Sequence, residues 1–244
     1  MNIENSKEDL EKDEITTNIV SNKSNKINSI NKFVQKYSKI IIIVSIVIVV
    51  FGGLIFLIIS NNAKNEANAS KALARIEQYY TKGEYLNALE GNDSLPTVRG
   101  EKIIGLLKIV EEYGSTSAGA RAALYAADSY FKLENYKEAK IFYEKAIKSS
   151  IDVINVGGLA GVAACNEISG NYVEAVNGYL KAVDLIADDG QKARYMYFAG
   201  LCSEKANNKE KAIEIYRNML ELNIHGEFCN LAKAGIVRLG SEVE

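Results

Sequence analysis

The sequence predicts an all-α protein in which one membrane-spanning helix precedes an α-solenoid of helix pairs and a C-terminal capping helix. Three observations support this fold class. Helix-forming residues dominate the 244-residue chain and Pro occurs once, which favours helices over sheets. Residues 40–59 form an uncharged apolar run. A pattern of small and aromatic residues recurs in the C-terminal half at an interval in the mid-thirties, which is typical of stacked helix pairs.

The N-terminal segment, residues 1–39, is polar and rich in Asn, Ser and Lys. It lacks the apolar periodicity of a folded helix in its first part, so we expect it to be a disordered tail. Residues 15–39 contain five Lys and no acidic residue. Positive charge before an apolar run predicts that the N-terminus stays in the cytoplasm.

The apolar run, residues 40–59, has the length of a transmembrane helix. Twenty residues in a helix rise about 30 Å, which matches the hydrocarbon core of a bilayer. We therefore predict a single uncleaved signal anchor from Ile40 to Ile59. A cleaved signal peptide is the alternative, since Ala67-Asn68-Ala69 resembles a cleavage site. The run and its leader are, however, longer than those of signal peptides.

Residues 60–117 are predicted to form a helical stalk and an incomplete first repeat. Small and apolar residues lie along one side of a helix over residues 61–80. A loop follows from Gly91, and residues 101–113 are predicted to form a further helix.

The repeated pattern is clearest from Tyr136 to Ala146. Tyr136, Ala139, Tyr143 and Ala146 are spaced three, four and three residues apart and therefore lie on one helical face. Small residues that alternate with aromatic ones let a neighbouring helix approach closely. The spacing returns twice, at Tyr172, Ala175, Tyr179 and Ala182 and then at Lys209, Ala212, Tyr216 and Met219, so the alanines at the second position are 36 and 37 residues apart.

This spacing divides residues 118–222 into three helix pairs, at about 118–150, 154–187 and 191–222. The second helix of each pair is predicted to be capped by an Asn side chain, at Asn135, Asn171 and Asn208. Residues 223–244 supply a capping helix and a tail. The inner side of that helix is predicted to carry Leu231, Ala234, Val237 and Leu239.

The three pairs resemble the tetratricopeptide repeat (TPR) family. The resemblance rests on the repeated spacing and on small residues of the preceding helices, such as Ala123 and Ala127 in the first pair. The chain departs from the family in having no Trp and no Pro that closes a repeat, and in having Asn166 and Ser203 where an aromatic residue is usual. The alternative is an unrelated helical bundle with a chance period.

The order of elements resembles a narrower family. A Lys-rich tail, one membrane span, an Ala-rich helix and TPR pairs are similar to the membrane-anchored TPR proteins of the YfgM type, ancillary subunits of the SecYEG translocon. The resemblance covers about residues 35–240. It implies a single-pass protein of the bacterial inner membrane with a periplasmic repeat domain. Its partners would be translocon subunits, periplasmic chaperones or client polypeptides.

In TPR arrays the first helices of successive pairs line a groove that binds protein segments. The resemblance places groove positions on three helices of this chain: Arg121, Leu124, Asp128, Phe131, Lys132, Ala164, Glu167, Arg194, Tyr197, Leu201 and Glu204. We expect the groove to bind apolar or amphipathic peptide segments, with Phe131 and Tyr197 as anchors, because aromatic residues dominate binding energies. The alternative is that both aromatics pack beneath a neighbouring loop or the N-terminal helix.

The sequence offers no catalytic constellation. His225 is the single histidine, so a histidine triad or metal site lacks partners. Gly157, Gly158 and Gly161 lack the spacing of a phosphate-binding loop. A net charge of −2 gives no basic surface for nucleic acid. We expect a non-enzymatic, membrane-tethered interaction scaffold that binds no cofactor, metal, nucleic acid or small-molecule substrate. The alternatives are a structural adaptor in envelope assembly or cell division, and an enzyme.

Overall fold

The computed structural model describes residues 60–91, 95, 97, 100, 102–222 and 225–243, together with Tyr37, Val47 and Phe51. The chain divides into two compact units, Met1–Asn61 and Asn62–Glu244. The predicted tail and most of the predicted transmembrane segment lie outside the described residues. Among the residues that are described, no helix has both the length and the apolar character needed to cross a membrane.

The described part of the chain is all-α and forms a solenoid-like array, as the sequence predicted. It contains ten helices and no strand. They are α1 (60–81), α2 (Tyr85–Glu90), α3 (Leu106–Tyr113), α4 (Ser117–Lys132), α5 (Tyr136–Ala146), α6 (Asp152–Ile168), α7 (Tyr172–Asp184), α8 (Asp189–Lys205), α9 (Lys209–Leu220) and α10 (Glu227–Arg238).

The three predicted pairs correspond to α4 with α5, α6 with α7, and α8 with α9. Within each pair the helices pack closely, and each second helix also packs on the first helix of the next pair. The first helices α4 and α6 contact one another directly, and α10 contacts both α8 and α9. The array is therefore continuous from α4 to α10. The domain boundaries proposed from the sequence stay a prediction.

The interface between the paired helices has the small-against-aromatic packing that the sequence predicted. Ala139, Ala175 and Ala212 are fully buried. In the third pair, Gly200 of α8 lies against the ring of Tyr216, and an added Cβ at Gly200 would overlap that ring. Gly161 of α6 lies in the same way against Tyr143 of α5. Packing of a glycine against a tyrosine ring therefore also joins neighbouring pairs. The predicted register of the repeats is confirmed.

The turn inside each pair has one recurring conformation. Its penultimate residue has a positive φ, and the N–H of the following Asn donates to a carbonyl five residues earlier at 2.9 Å, which is the Schellman closure of a helix. The residues with positive φ are Glu134 (60°), Gly170 (77°) and Asn207 (58°). The predicted Asn side-chain cap forms at Asn135 and Asn208 but not at Asn171, so that prediction is confirmed in two pairs and wrong in one.

The helix predicted over residues 101–113 begins later than expected, at Leu106. Gly105 is extended, with φ −73° and ψ 166°. A Cβ on Gly105 would overlap the backbone of Glu90, and one on Gly91 would overlap Gly105. Two chain segments therefore cross in close contact here, and this tertiary packing prevents an earlier helix start.

The inner side of the capping helix differs from the prediction. Its buried residues are Cys229, Ala232, Gly235 and Ile236. Val237 is 64% exposed, Leu231 is 37% exposed and Ala234 is also exposed, so the predicted inward orientation of these three residues is wrong. Leu239 is partly buried and packs against the core, as predicted.

Two contacts fix the rotation of α10. Gly235 lies against the Tyr216 ring, where no side chain fits. The Arg238 guanidinium donates to Glu204 of α8 at 2.6 Å. Lys233 of α10 stands 37 residues after the buried Met196 of α8 and is exposed.

Candidate protein-binding groove

The predicted groove residues lie on α4, α6 and α8, which form one layer of the array, and α1 extends this layer beside α4. The Glu66 carboxylate of α1 accepts hydrogen bonds from the N–H groups of Ser117 (2.7 Å) and Ala118 (3.0 Å) at the start of α4. Further along, Tyr80 of α1 contacts Asp128 of α4. Both helices therefore run in the same direction. We call α1, α4, α6, α8 and α10 the inner layer.

Asp128 is a predicted groove residue whose carboxylate is used inside the structure. The Tyr143 hydroxyl donates to Oδ1 at 2.6 Å and the Tyr80 hydroxyl donates to Oδ2 at 3.0 Å. Burial raises the pKa of Asp128 above its ordinary value, against the opposing effect of the two hydroxyl bonds and Lys132. Burial and the nearby Asp128 carboxylate raise the pKa of both tyrosines as well. Both carboxylate oxygens of Asp128 therefore accept hydrogen bonds from within the protein.

The same arrangement recurs in the next two pairs. The Tyr179 hydroxyl donates to Glu167 at 3.1 Å, and the Lys205 ammonium pairs with that carboxylate at 2.7 Å. The Tyr216 hydroxyl donates to Glu204 at 2.6 Å, and Arg238 pairs with it. In every pair, a tyrosine of the second helix therefore donates a hydrogen bond to a carboxylate of the first helix. We call this hydrogen bond the tyrosine–carboxylate contact.

The two predicted anchors, Phe131 and Tyr197, are partly buried. The Phe131 ring lies 5.2 Å from Tyr136 and 6.5 Å from Tyr143, centroid to centroid. The Tyr197 ring lies 6.0 Å from Tyr216 and 5.7 Å from Phe228 of α10. Each anchor is supported by packing on one side and leaves part of its surface open. Their role in binding stays a prediction.

An aromatic cluster that the sequence analysis missed surrounds Tyr197. Phe198 links Tyr179 (5.7 Å), Tyr195 (6.4 Å) and Phe228 (6.0 Å). Arg194 lies over the Tyr195 ring at 4.6 Å and donates to its hydroxyl at 2.7 Å. The sequence did carry a signal for this cluster, because three of the four residues from 195 to 198 of α8 are aromatic.

The remaining predicted groove residues fall into two groups. Arg121, Lys132 and Arg194 are exposed, and none of them forms an ion pair within the described part of the chain. The other group is partly buried and apolar: Leu124, Ala164 and Leu201. The inner layer therefore combines aromatic and apolar surface with cations at its edges.

The three cysteines are free and buried. Burial raises the pKa of the Cys165 thiol to about 11, and burial with the nearby Glu167 raises that of Cys202 to about 12. These thiols stay protonated near neutral pH, so they are poor nucleophiles. His225 is exposed. Across the residues that the structure describes, no three metal-ligating side chains come together.

No protein-family model matches this chain. A stretch of 64 residues, 26% of the chain, is 36% identical to the photosystem I assembly protein Ycf3 of Acaryochloris marina. The match spans 37% of that protein, a little over a third of its length. Ycf3 contains TPR repeats, so this similarity agrees with the helix pairs described above. The chain is a TPR-like helical protein.

Proposed function

We propose that this chain is a non-enzymatic interaction scaffold that binds polypeptide segments along its inner layer. The observation that carries the proposal is the partly exposed aromatic surface of Tyr197 and Phe228 next to the exposed Arg194. Aromatic and Arg side chains supply most binding energy at protein interfaces. The tyrosine–carboxylate contacts stabilise the helices that carry this surface, because each contact joins the first and second helix of a pair.

A bound segment would be apolar or amphipathic. The carboxylates of Asp128, Glu167 and Glu204 already accept internal bonds, so they have little capacity for donors of a partner. Aromatic faces and the apolar residues Leu124 and Leu201 remain. A segment with apolar side chains on one side would cover them.

We further propose that the scaffold is tethered to the bacterial inner membrane by residues 40–59, with its repeats on the periplasmic side. The apolar length of that segment and the Lys residues before it support the tether. The resemblance to YfgM-type proteins supports a place beside the translocon, with translocon subunits, chaperones or clients as partners.

A second candidate function is an adaptor in the assembly of envelope complexes. The similarity to a protein named for photosystem I assembly favours it. The two candidates share the same groove and differ in their partners. Recovery of translocon subunits by crosslinking and purification from native membranes would favour the first. Recovery of an assembling envelope complex without them would favour the second.

The groove itself is tested with a double variant, Phe131→Ala with Tyr197→Ala. After its melting has been shown to be native-like, we expect crosslinking to partners in membranes to fall several-fold, because both anchors are lost. The matched control is Val173→Ala, which removes exposed apolar surface from the second helix α7. Undiminished crosslinking in a well-folded double variant would remove the groove as the binding surface.

A further inference from the structure

A cleft of about 340 Å³ opens between α3, α4 and α5. This volume is at the lower end of the range for small-molecule sites. None of the predicted groove residues lines it, so it is a separate feature of the molecule. Its lining residues are Leu107, Val110, Glu111, Gly114, Gly119, Ala123, Phe142, Lys145 and Lys148.

The walls of the cleft are apolar. Val110, Ala123 and Phe142 are buried, and Leu107 is partly buried. All four lie within helices, whose N–H and C=O groups bond along the helix axis. An extended peptide backbone in the cleft would therefore lack hydrogen-bond partners, which is costly. An alkyl chain needs none.

The rim of the cleft is basic. Lys145 Nζ lies 4.2 Å from the centroid of the Phe142 ring, directly above the apolar wall. Lys148 is exposed at the end of the same segment. Neither lysine forms an ion pair with any residue that the structure describes. The acidic lining residue, Glu111, is paired with Lys108 at 3.0 Å.

We propose that this cleft binds a single-chain anionic amphiphile, a medium-chain fatty acid. The alkyl chain lies against Val110, Ala123 and Phe142, and the carboxylate pairs with Lys145 and Lys148. A two-chain phospholipid is too large for about 340 Å³. The sequence predicted no small-molecule substrate, and the fatty acid is bound here without being turned over. The proposal is independent of peptide binding by the groove.

The test uses decanoate that carries a diazirine, which labels neighbouring residues on illumination. Because residues 40–59 are uncharged and apolar, the full-length chain is studied in lipid nanodiscs. Detergent is avoided, since it would itself fill an apolar cleft. Labelled residues are located by mass spectrometry of peptides. We expect labels on α3 and on residues 136–148, and we expect unlabelled decanoate to compete for them.

The variant pair Lys145→Gln with Lys148→Gln should lower this labelling about tenfold, because the charge-assisted bonds to the carboxylate are lost. Both lysines are on the surface, so the fold is retained. The matched control is Lys137→Gln with Lys181→Gln, which removes two exposed charges outside the cleft and should leave labelling unchanged. A diazirine-bearing decanol should label the cleft weakly.

Any of three results would overturn the proposal: no label in the cleft that decanoate competes away, equal labelling by the alcohol, or full labelling of the Lys145 and Lys148 variant. Tyr197→Ala should leave labelling intact. The experiments therefore distinguish failure of the peptide-binding proposal for the groove from failure of the fatty-acid proposal for the cleft.

Discussion

The Tyr143 hydroxyl of α5 and the Tyr80 hydroxyl of α1 donate hydrogen bonds to the two oxygens of one carboxylate, that of Asp128. A single side chain of α4 thus joins three helices. The distances are 2.6 and 3.0 Å, and the stronger bond is made inside the pair. Bonds to a charged acceptor are worth more than neutral ones, so Asp128 stabilises the junction between α1 and the repeats.

The first prediction concerns that junction. Asp128→Ala should lower the free energy of unfolding by about 3 kcal/mol, because it leaves the hydroxyls of the buried Tyr143 and the partly buried Tyr80 without an acceptor. Urea unfolding of residues 62–244 measures the change. Glu144→Ala, an exposed acid on α5, is the control and should change stability by less than about 0.5 kcal/mol. Equal effects of both changes would show that the Asp128 contact does not stabilise the fold.

The second prediction concerns alkaline pH. Burial raises the pKa of Tyr80, Tyr143, Tyr179 and Tyr216 in the folded protein, and the nearby carboxylates raise it further. An unfolded tyrosine ionises near pH 10. The stabilisation is therefore complete below about pH 10 and is lost as the pH rises toward the folded pKa values. Each tyrosine should contribute a slope of up to about 1.4 kcal/mol per pH unit.

Chemical unfolding at a series of pH values from neutral to strongly alkaline measures this slope. Tyr216→Phe should make it shallower by one such contribution. Tyr136→Phe is the control, because the Tyr136 hydroxyl makes no bond to a carboxylate among the described residues. A Tyr216→Phe slope identical to that of the parent would contradict the prediction.

The third prediction concerns the turns inside the pairs. Glu134 and Asn207 adopt a positive φ, which costs a residue with a Cβ about 1 kcal/mol. Glu134→Gly should therefore stabilise the protein by up to about 1 kcal/mol, since glycine adopts this conformation freely. Gly170→Ala, the reverse change at the matching position, should destabilise it by about 1 kcal/mol. Thermal unfolding of both variants decides the matter, and destabilisation by Glu134→Gly would contradict it.

Local spacing explains why the repeats could be predicted and the contacts could not. Ala139 and Tyr143 share a helical face whatever surrounds them, so the register of the pairs followed from the sequence alone. The inner side of α10 depends on Gly235 meeting Tyr216, and the start of α3 depends on Gly105 crossing residue 91. Both are tertiary contacts that no short-range pattern records.

The tyrosine–carboxylate contacts were missed for a related reason. Glu167 and Glu204 hold equivalent positions, 37 residues apart, but Asp128 stands one helical turn earlier in its repeat. The shorter Asp side chain reaches Tyr143 from that earlier turn. Comparing residues at equivalent positions therefore did not predict the contact. The presence of one tyrosine-bonded acid on the first helix of every pair would have indicated it.

The fourth prediction tests the packed interface. Ala139→Leu and Ala175→Leu each add volume to a fully buried contact and should lower stability by about 1–3 kcal/mol. Lys132→Ala, at an exposed position, should change it by less than about 0.5 kcal/mol. Melting of residues 62–244 provides the measurement. The same melting temperature in all three variants would show that the helices do not pair as described.

The last prediction concerns topology, which determines the partners that the groove can meet. Five Lys between residues 15 and 39 precede the apolar run and predict a cytoplasmic N-terminus. The repeat domain would then lie in the periplasm. Alkaline phosphatase is active only outside the cytoplasm. A fusion of it after Glu244 should therefore be active, whereas a fusion to a fluorescent protein that folds only in the cytoplasm should stay dark.

A charge-reversal variant gives the control. Replacing the five Lys by Glu removes the positive-inside signal while the apolar run is unchanged, so a larger share of the chains should insert in the opposite orientation. Phosphatase activity should fall and fluorescence should appear. Fluorescence without phosphatase activity in the parent chain would show that the chain inserts in the opposite orientation. The repeats would then face the cytoplasm, and periplasmic chaperones could no longer be partners of the inner layer.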